Sequence, residues 1–303
     1  MKSSIHILIL LVMNTTAISQ TWLDTTFYPF ESKFMNLDAG RMHYVEEGKG
    51  ETILFVHGTP TWSFLYRDFI KELSKDYHCI AIDHLGFGLS GKPDLMLGTP
   101  EWHSRNLIEF IKKKVLKQIT LVVHDFGGPV GLAAGIEYSE RIKRVVLFNS
   151  WLWSTKQNKD AQKIEKLVHS WLGRFLYLNL NISPKLLLKK GFADKLKLSK
   201  KIHKQYIKPF PTKDSRKPLL TLAKALVGSS DWYQKQWEQL DTLSDKKWLI
   251  LWGTEDEFIT TKYLQKWENR LPNAQTKKFA CGHFVQEEKT EESIKTIINF
   301  MIE

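Results

Sequence analysis

Apolar positions along this chain follow two patterns in turn. Short continuous runs such as "TILFVHG" (52–58), "HCIAID" (78–83), "ITLVVHD" (119–125), "IKRVVLFNS" (142–150) and "KKWLILWG" (246–253) suit strands buried on both faces of a sheet. Between them, "PEWHSRNLIEFIKKKVL" (100–116) spaces Trp102, Leu107, Ile108, Ile111 and Val115 as a helix does. The small-residue stretch "GPVGLAAGIEYS" (128–139) predicts a helix that packs closely on a sheet. Strands alternating with helices predict a parallel sheet covered on both faces. Upstream, "SKFMNL" and "RMHYVEEG" read as a strand pair joined at "DAG".

After "VVLFNS" the alternation stops. From Trp151 to about Ser230 the pattern is helical, rich in lysine and aromatics, with prolines at 184, 209, 211 and 218. Strand character returns at "KKWLILWG", followed by a helix near Thr261–Arg270, a strand at "AQTKKFA" and a closing helix over about 288–302. The expected organisation is an α/β core in two parts, 20–150 and 231–303, interrupted by a helical cap, 151–230. No internal repeat or low-complexity tract breaks it.

The first residues are a separate matter. Lys2 is followed by an apolar run over Ile5–Met13 and by the small-x-small site Ala17-Ile18-Ser19. The run is too short to span a bilayer. It reads as a cleaved signal peptide, 1–19, leaving Gln20 first, and predicts a secreted or periplasmic protein. Two cysteines, Cys79 and Cys281, make neither a disulfide framework nor a metal site and are expected as free thiols.

The net charge of +11 is concentrated. Residues 156–217 hold 17 Lys and Arg against 4 Asp and Glu, while the rest of the chain holds 27 against 29. Such a segment reads first as a set of solvated helix faces, with the steering of anions or contact with an anionic surface as the alternative. No nucleic-acid, metal or cofactor motif accompanies it, and no obligate partner is evident.

The chemistry lies at strand ends. In "TLVVHDFGGPVG" (120–131) an aspartate stands where a strand turns into a helix, and Gly127 and Gly128 let that helix approach the strand. This is the pattern of a nucleophile elbow, with Val123 where the first glycine usually stands. The positive end of a helix favours an ionised carboxylate, which attacks an electrophilic carbon without a base. Hydrolysing the resulting ester does need a base. "ACGHFVQEE" supplies His283 and "LILWGTEDEF" supplies Asp256, with Glu255 and Glu257 as rival acids. The order nucleophile, acid, histidine is that of α/β-hydrolases. The strand before the cap ends in Asn149, which is not an acid. The backbone N–H groups of Thr59 and Phe126 would together form an oxyanion hole.

"HGTPTWSFLYR", "DHLGFGLSGKPD", "VVHDFGGPVGL", "WGTEDEF" and "GHFVQEE" together resemble the haloalkane dehalogenases and their near relatives among the α/β-hydrolases. The likeness runs from about Phe27 to the C-terminus and is weakest in the insertion. It implies an α/β-hydrolase fold, with a mostly parallel eight-stranded sheet and a helical cap inserted after strand six. It also implies an aspartate nucleophile, a histidine base and an acid after strand seven, roles that fall on Asp125, His283 and Asp256. The expected substrate is a small apolar organic molecule attacked together with water.

Two positions depart from the family. The residue after the nucleophile is usually a tryptophan whose indole N–H holds the leaving halide, and here it is Phe126. The second donor is often an asparagine after the His-Gly pair, and here it is Thr59. Another branch uses a cap tryptophan, for which Trp151, Trp153 and Trp171 are candidates. Epoxide hydrolysis is the alternative, with Tyr177 and Tyr206 as possible cap acids; a related β-lactone decarboxylase belongs beside it. A binding protein on the same fold would have no need of Asp125, Asp256 and His283 together.

Overall fold

The computed structural model describes residues 22–93 and 97–303. The expected signal peptide lies outside them. Eight strands form one sheet: β1 (Lys33–Leu37), β2 (Gly40–Glu47), β3 (Thr52–Val56), β4 (His78–Ile82), β5 (Ile119–Val123), β6 (Ile142–Phe148), β7 (Lys247–Gly253) and β8 (Gln275–Phe279). Their spatial order is β1-β2-β4-β3-β5-β6-β7-β8. The β1–β2 and β2–β4 pairs are antiparallel and the other five are parallel.

The continuous apolar runs serve both faces. On β3, β5 and β7, Leu54, Val56, Leu121, Val123, Ile250 and Trp252 enter one apolar cluster. Their alternates Ile53, Phe55, Val122, Leu249 and Leu251 enter the other. Period-two alternation thus feeds two cores, each covered by helices. Those helices are α1 (Arg67–Leu73), α2 (Pro100–Lys113) and α3 (Gly127–Glu137), then, after the insertion, α10 (Thr261–Arg270), α11 (Val285–Glu288) and α12 (Thr290–Ile302). The insertion between β6 and β7 carries α4 (Lys159–His169), α5 (Trp171–Leu178), α6 (Leu188–Lys190), α7 (Lys200–Ile207), α8 (Lys213–Gly228) and α9 (Ser230–Glu238). Of these, α9 packs back on α3.

The strand order positions the site. The chain leaves β3 for β4 on one side and returns to place β5 on the other, so the connections diverge beyond the carboxyl ends of β3 and β5. Open α/β sheets bind ligands at such a switch point. Thr59 follows β3 and Asp125 follows β5, so both stand at that crevice. Close approach there demands glycine. A Cβ on Gly127 would lie 2.2 Å from the Val56 carbonyl oxygen, and one on Gly58 would lie 2.2 Å from an Asp125 carboxylate oxygen. Cys79 and Cys281 are both buried, unpaired thiols. Among the described residues no helix is long and apolar enough to cross a membrane.

Candidate active site

Asp125 has φ +52°, in the left-handed region that a non-glycine residue occupies at a cost of about 1–3 kcal/mol. Its surroundings hold it there. The Asp125 N–H donates to the Asn149 carbonyl at 3.0 Å. Ser150 Oγ donates to the Asp125 carbonyl at 2.7 Å. Phe126 is the N-cap of α3, so the carboxylate stands at that helix's positive end.

The two carboxylate oxygens of Asp125 have different neighbours. Oδ1 accepts the Thr59 N–H at 2.8 Å. Oδ2 lies 3.5 Å from His283 Nε2. On the far side of the ring, His283 Nδ1 meets Asp256 Oδ2 at 2.7 Å. Asp256 is itself fixed, because its Oδ1 accepts the N–H groups of Phe258 and Ile259 at 2.7 and 3.0 Å. Of the three acids in "TEDEF", Asp256 is therefore the one that reaches the histidine. Glu255 contributes a backbone N–H to the Cys281 carbonyl, and Glu257 pairs with Lys190 at the surface.

Burial pushes His283 toward neutrality, but Asp256 and Asp125 outweigh it and lift the imidazole to about 10. Burial alone would raise Asp256. His283 and the two N–H donors overcome that and hold its carboxyl below the usual carboxylate range. The imidazole thus sits between two carboxylates, and loss of charge on either lowers its affinity for a proton.

Three supports of this geometry have no obvious sequence signal. Asn149 donates to Asp256 Oδ2 at 2.9 Å and accepts the Gly253 N–H at 2.8 Å, which ties the ends of β6 and β7. His124, held down to about 3 by burial and by neighbouring His283, is neutral and donates to the His283 carbonyl at 2.9 Å. The cap also anchors the histidine loop. The His283 N–H donates to the Gly191 carbonyl at 2.7 Å, and Glu288 gathers the N–H groups of Gly282, Ala193 and Asp194. A doublet of glutamates after the histidine is the one hint, since buried carboxylates need partners.

A cavity of about 1080 Å³ opens onto Asp125 and His283, between the sheet ends and the cap. Its wall includes Thr59, Phe126, Trp151, Tyr177, Leu187 and Phe258. The three tryptophans singled out by sequence separate here. Trp151 lines the cavity, with its ring edge-on to Phe126 at 4.8 Å. Its Nε1 is buried and has no acceptor, and the same is true of Thr59 Oγ1. Trp153 packs instead against Trp237, Tyr263 and Trp267. Trp171 lies on the outer surface, 77% exposed. The tyrosines separate too. Tyr177 lines the cavity and is pushed up to about 12 by burial. Tyr206 hydrogen-bonds to Glu287, which also takes a bidentate ion pair from Arg67.

A carboxylate with one oxygen held by an N–H and the other facing a carboxylate-backed imidazole can attack carbon, form an ester and have that ester hydrolysed. Residues 51–290 match the family model described as the alpha/beta hydrolase fold. The chain belongs to the α/β-hydrolase family. Within it, the chain is an enzyme of haloalkane dehalogenase type. It is 32% identical over 290 residues to the cis-3-alkyl-4-alkyloxetan-2-one decarboxylase of Shewanella oneidensis, covering 92% of this chain and 90% of that protein. It is 30% identical over 285 residues to haloalkane dehalogenase 2 of Mycobacterium bovis, covering 91% and 96%. The solved structure of haloalkane dehalogenase DatA from Agrobacterium tumefaciens C58 superposes with a TM-score of 0.82 at 26% identity, over 92% of this chain and 99% of that one. The expected fold, with its eight-stranded, mostly parallel sheet and helices inserted after the sixth strand, is the fold found.

Proposed function

We propose that this α/β-hydrolase cleaves a carbon–halogen bond through an ester on Asp125, which water activated by His283 then hydrolyses. One observation carries the reading: Asp125 has Oδ1 tied to the Thr59 N–H and Oδ2 turned to His283 Nε2, with Asp256 behind the ring. Oδ2 attacks the carbon, the carbon–halogen bond breaks and halide departs. The ester carbonyl is then Oδ1, already at an N–H donor. Alkylation removes the charge of Asp125, one of two carboxylates that keep His283 protonated. The imidazole loses its proton more readily once the ester exists, which is when a base is needed. Water attacks Cγ, His283 takes its proton, and the oxyanion forms on Oδ1. Collapse of that intermediate expels the alkoxide, which takes the proton from His283 and leaves as the alcohol, and the remaining water proton passes to the imidazole as the carboxylate is restored.

Phe126 has no N–H for the leaving halide. Trp151 Nε1 and Thr59 Oγ1, both buried without a partner, are the donors this reading assigns. A second reading has support of its own. Ring opening of a β-lactone needs no halide donor beside Asp125, and one relative is a decarboxylase of such a ring, a cis-3-alkyl-4-alkyloxetan-2-one. Epoxide opening keeps one of its two candidate cap acids, because Tyr177 lines the cavity while Tyr206 is committed to Glu287. Turnover of a panel of bromoalkanes, β-lactones and epoxides, with halide release followed beside product, decides among them. The first reading expects halide release, and consumption of the lactone alone overturns it.

The apolar run and the small-x-small site before Gln20 support export. N-terminal sequencing of protein recovered outside the cytoplasm is expected to begin at or near Gln20. A mature chain beginning at Met1 refutes export by this route.

A further inference from the structure

The cavity mouth is bordered by α4, where Lys159, Lys163, Ile164 and Leu167 all line it. Ile164 and Leu167 face solvent as well, at 38% and 40% exposure. The apolar surface continues onto α5, which packs against α4. There Trp171 is 77% and Leu172 48% exposed, and Trp171 stacks on Phe175 at 5.7 Å. Single exposed apolar residues are ordinary, whereas a contiguous group marks an interaction surface.

Its surroundings indicate the partner. Residues 156–190 carry eight Lys and Arg against two Asp and Glu. Among the described residues Lys159, Lys166 and Arg174 enter no ion pair, while Lys163 pairs with Asp160 within the same helix. An indole with an apolar body and a polar tip, beside aliphatic residues and unpaired cations, suits the boundary between lipid tails and anionic headgroups. With 11 and 8 residues, α4 and α5 are too short to span a bilayer, so the contact they make is peripheral.

We propose that α4 and α5 dock the protein on the surface of an anionic lipid bilayer, with the cavity mouth toward the membrane. An apolar substrate large enough to use a cavity of about 1080 Å³ partitions into membranes, and this orientation lets it enter from there. The docking does not depend on which bond Asp125 attacks.

Co-sedimentation of the full chain with vesicles tests it. Vesicles of phosphatidylcholine containing a third phosphatidylglycerol are expected to bind the protein, pure phosphatidylcholine to bind it weakly, and high salt to weaken binding to the anionic vesicles. The double substitution Trp171→Ser with Leu172→Ser leaves the charge unchanged and is expected to lower the partition coefficient at least tenfold. Neither residue lines the cavity, so turnover of a short water-soluble substrate should persist, which also reports that the variant is folded. Trp171→Gln alone serves as a milder variant with the same expected direction. Absence of binding by the native chain overturns the proposal. So does full binding by the double variant, which would make the attraction one of bulk charge. A loss of self-association on gel filtration, with vesicle binding unchanged, assigns the patch to a second copy and overturns it as well.

Discussion

Replacing His283 by Gln is expected to stop turnover while leaving ester formation intact. Attack by Oδ2 of Asp125 needs no proton transfer, because a carboxylate is already the nucleophile. The second step differs, since water attacking Cγ must surrender a proton and Gln cannot take it. General-base catalysis contributes roughly 10²–10⁴-fold, so steady-state turnover should fall by about that factor. The ester should then accumulate to one per protein, adding the alkyl mass to the peptide that holds Asp125. Gln fills most of the imidazole's volume and its amide N–H can still donate to Asp256, so the buried carboxylate is not stranded. Stranding it would cost about 3–5 kcal/mol, which is why Gln is preferred to Ala here. Full turnover by the variant, or an unmodified Asp125 peptide after incubation with a true substrate, would remove His283 from the role assigned to it.

Much of this arrangement is legible in the sequence because each element ends a recognisable strand. A strand buried on both faces reads as an unbroken apolar run, and residues just beyond its carboxyl end must face the crevice. Asp125, Asn149, Asp256 and His283 are legible as positions for that reason. What Asn149 does is not. It reads as the absence of an acid, and only the pairing of β6 with β7 shows its amide beside the Asp256 carboxylate. The contacts between Gly191, Glu288 and the histidine loop join residues separated by about ninety positions and follow no local period. The cap tryptophans show the limit most plainly. Trp151, Trp153 and Trp171 look alike in a helical, aromatic segment, yet one faces the cavity, one the core and one the solvent. Periodicity does not separate them, because Trp151 and Trp153 lie outside any helix, and the chain breaks between α4 and α5 at Ser170.

Trp151→Phe should separate the two readings of the reaction. The substitution removes one N–H and little else, since phenyl retains the aromatic edge toward Phe126 and most of the buried area. It costs far less than the roughly 3–5 kcal/mol of truncating a buried tryptophan to alanine. An indole N–H buried without an acceptor costs about 1–3 kcal/mol, so its removal offsets part of the lost packing. The folded protein is therefore expected to survive with nearly native thermal stability. Its chemistry should not survive equally on all substrates. A halide leaving Asp125's side of an apolar cavity needs a donor, and Phe126 provides none. Loss of one preorganised donor costs about 3 kcal/mol, so kcat/KM for a bromoalkane should fall by roughly a hundredfold. A β-lactone keeps its leaving oxygen attached to the substrate and should be opened at the native rate. A fall for the bromide alone supports carbon–halogen cleavage with Trp151 as the donor. Bromide turnover equal to that of the native protein would strip Trp151 of this role. Combined with rapid native consumption of the lactone, that result would move the assignment to lactone chemistry, in which a phenylalanine after the nucleophile is no handicap.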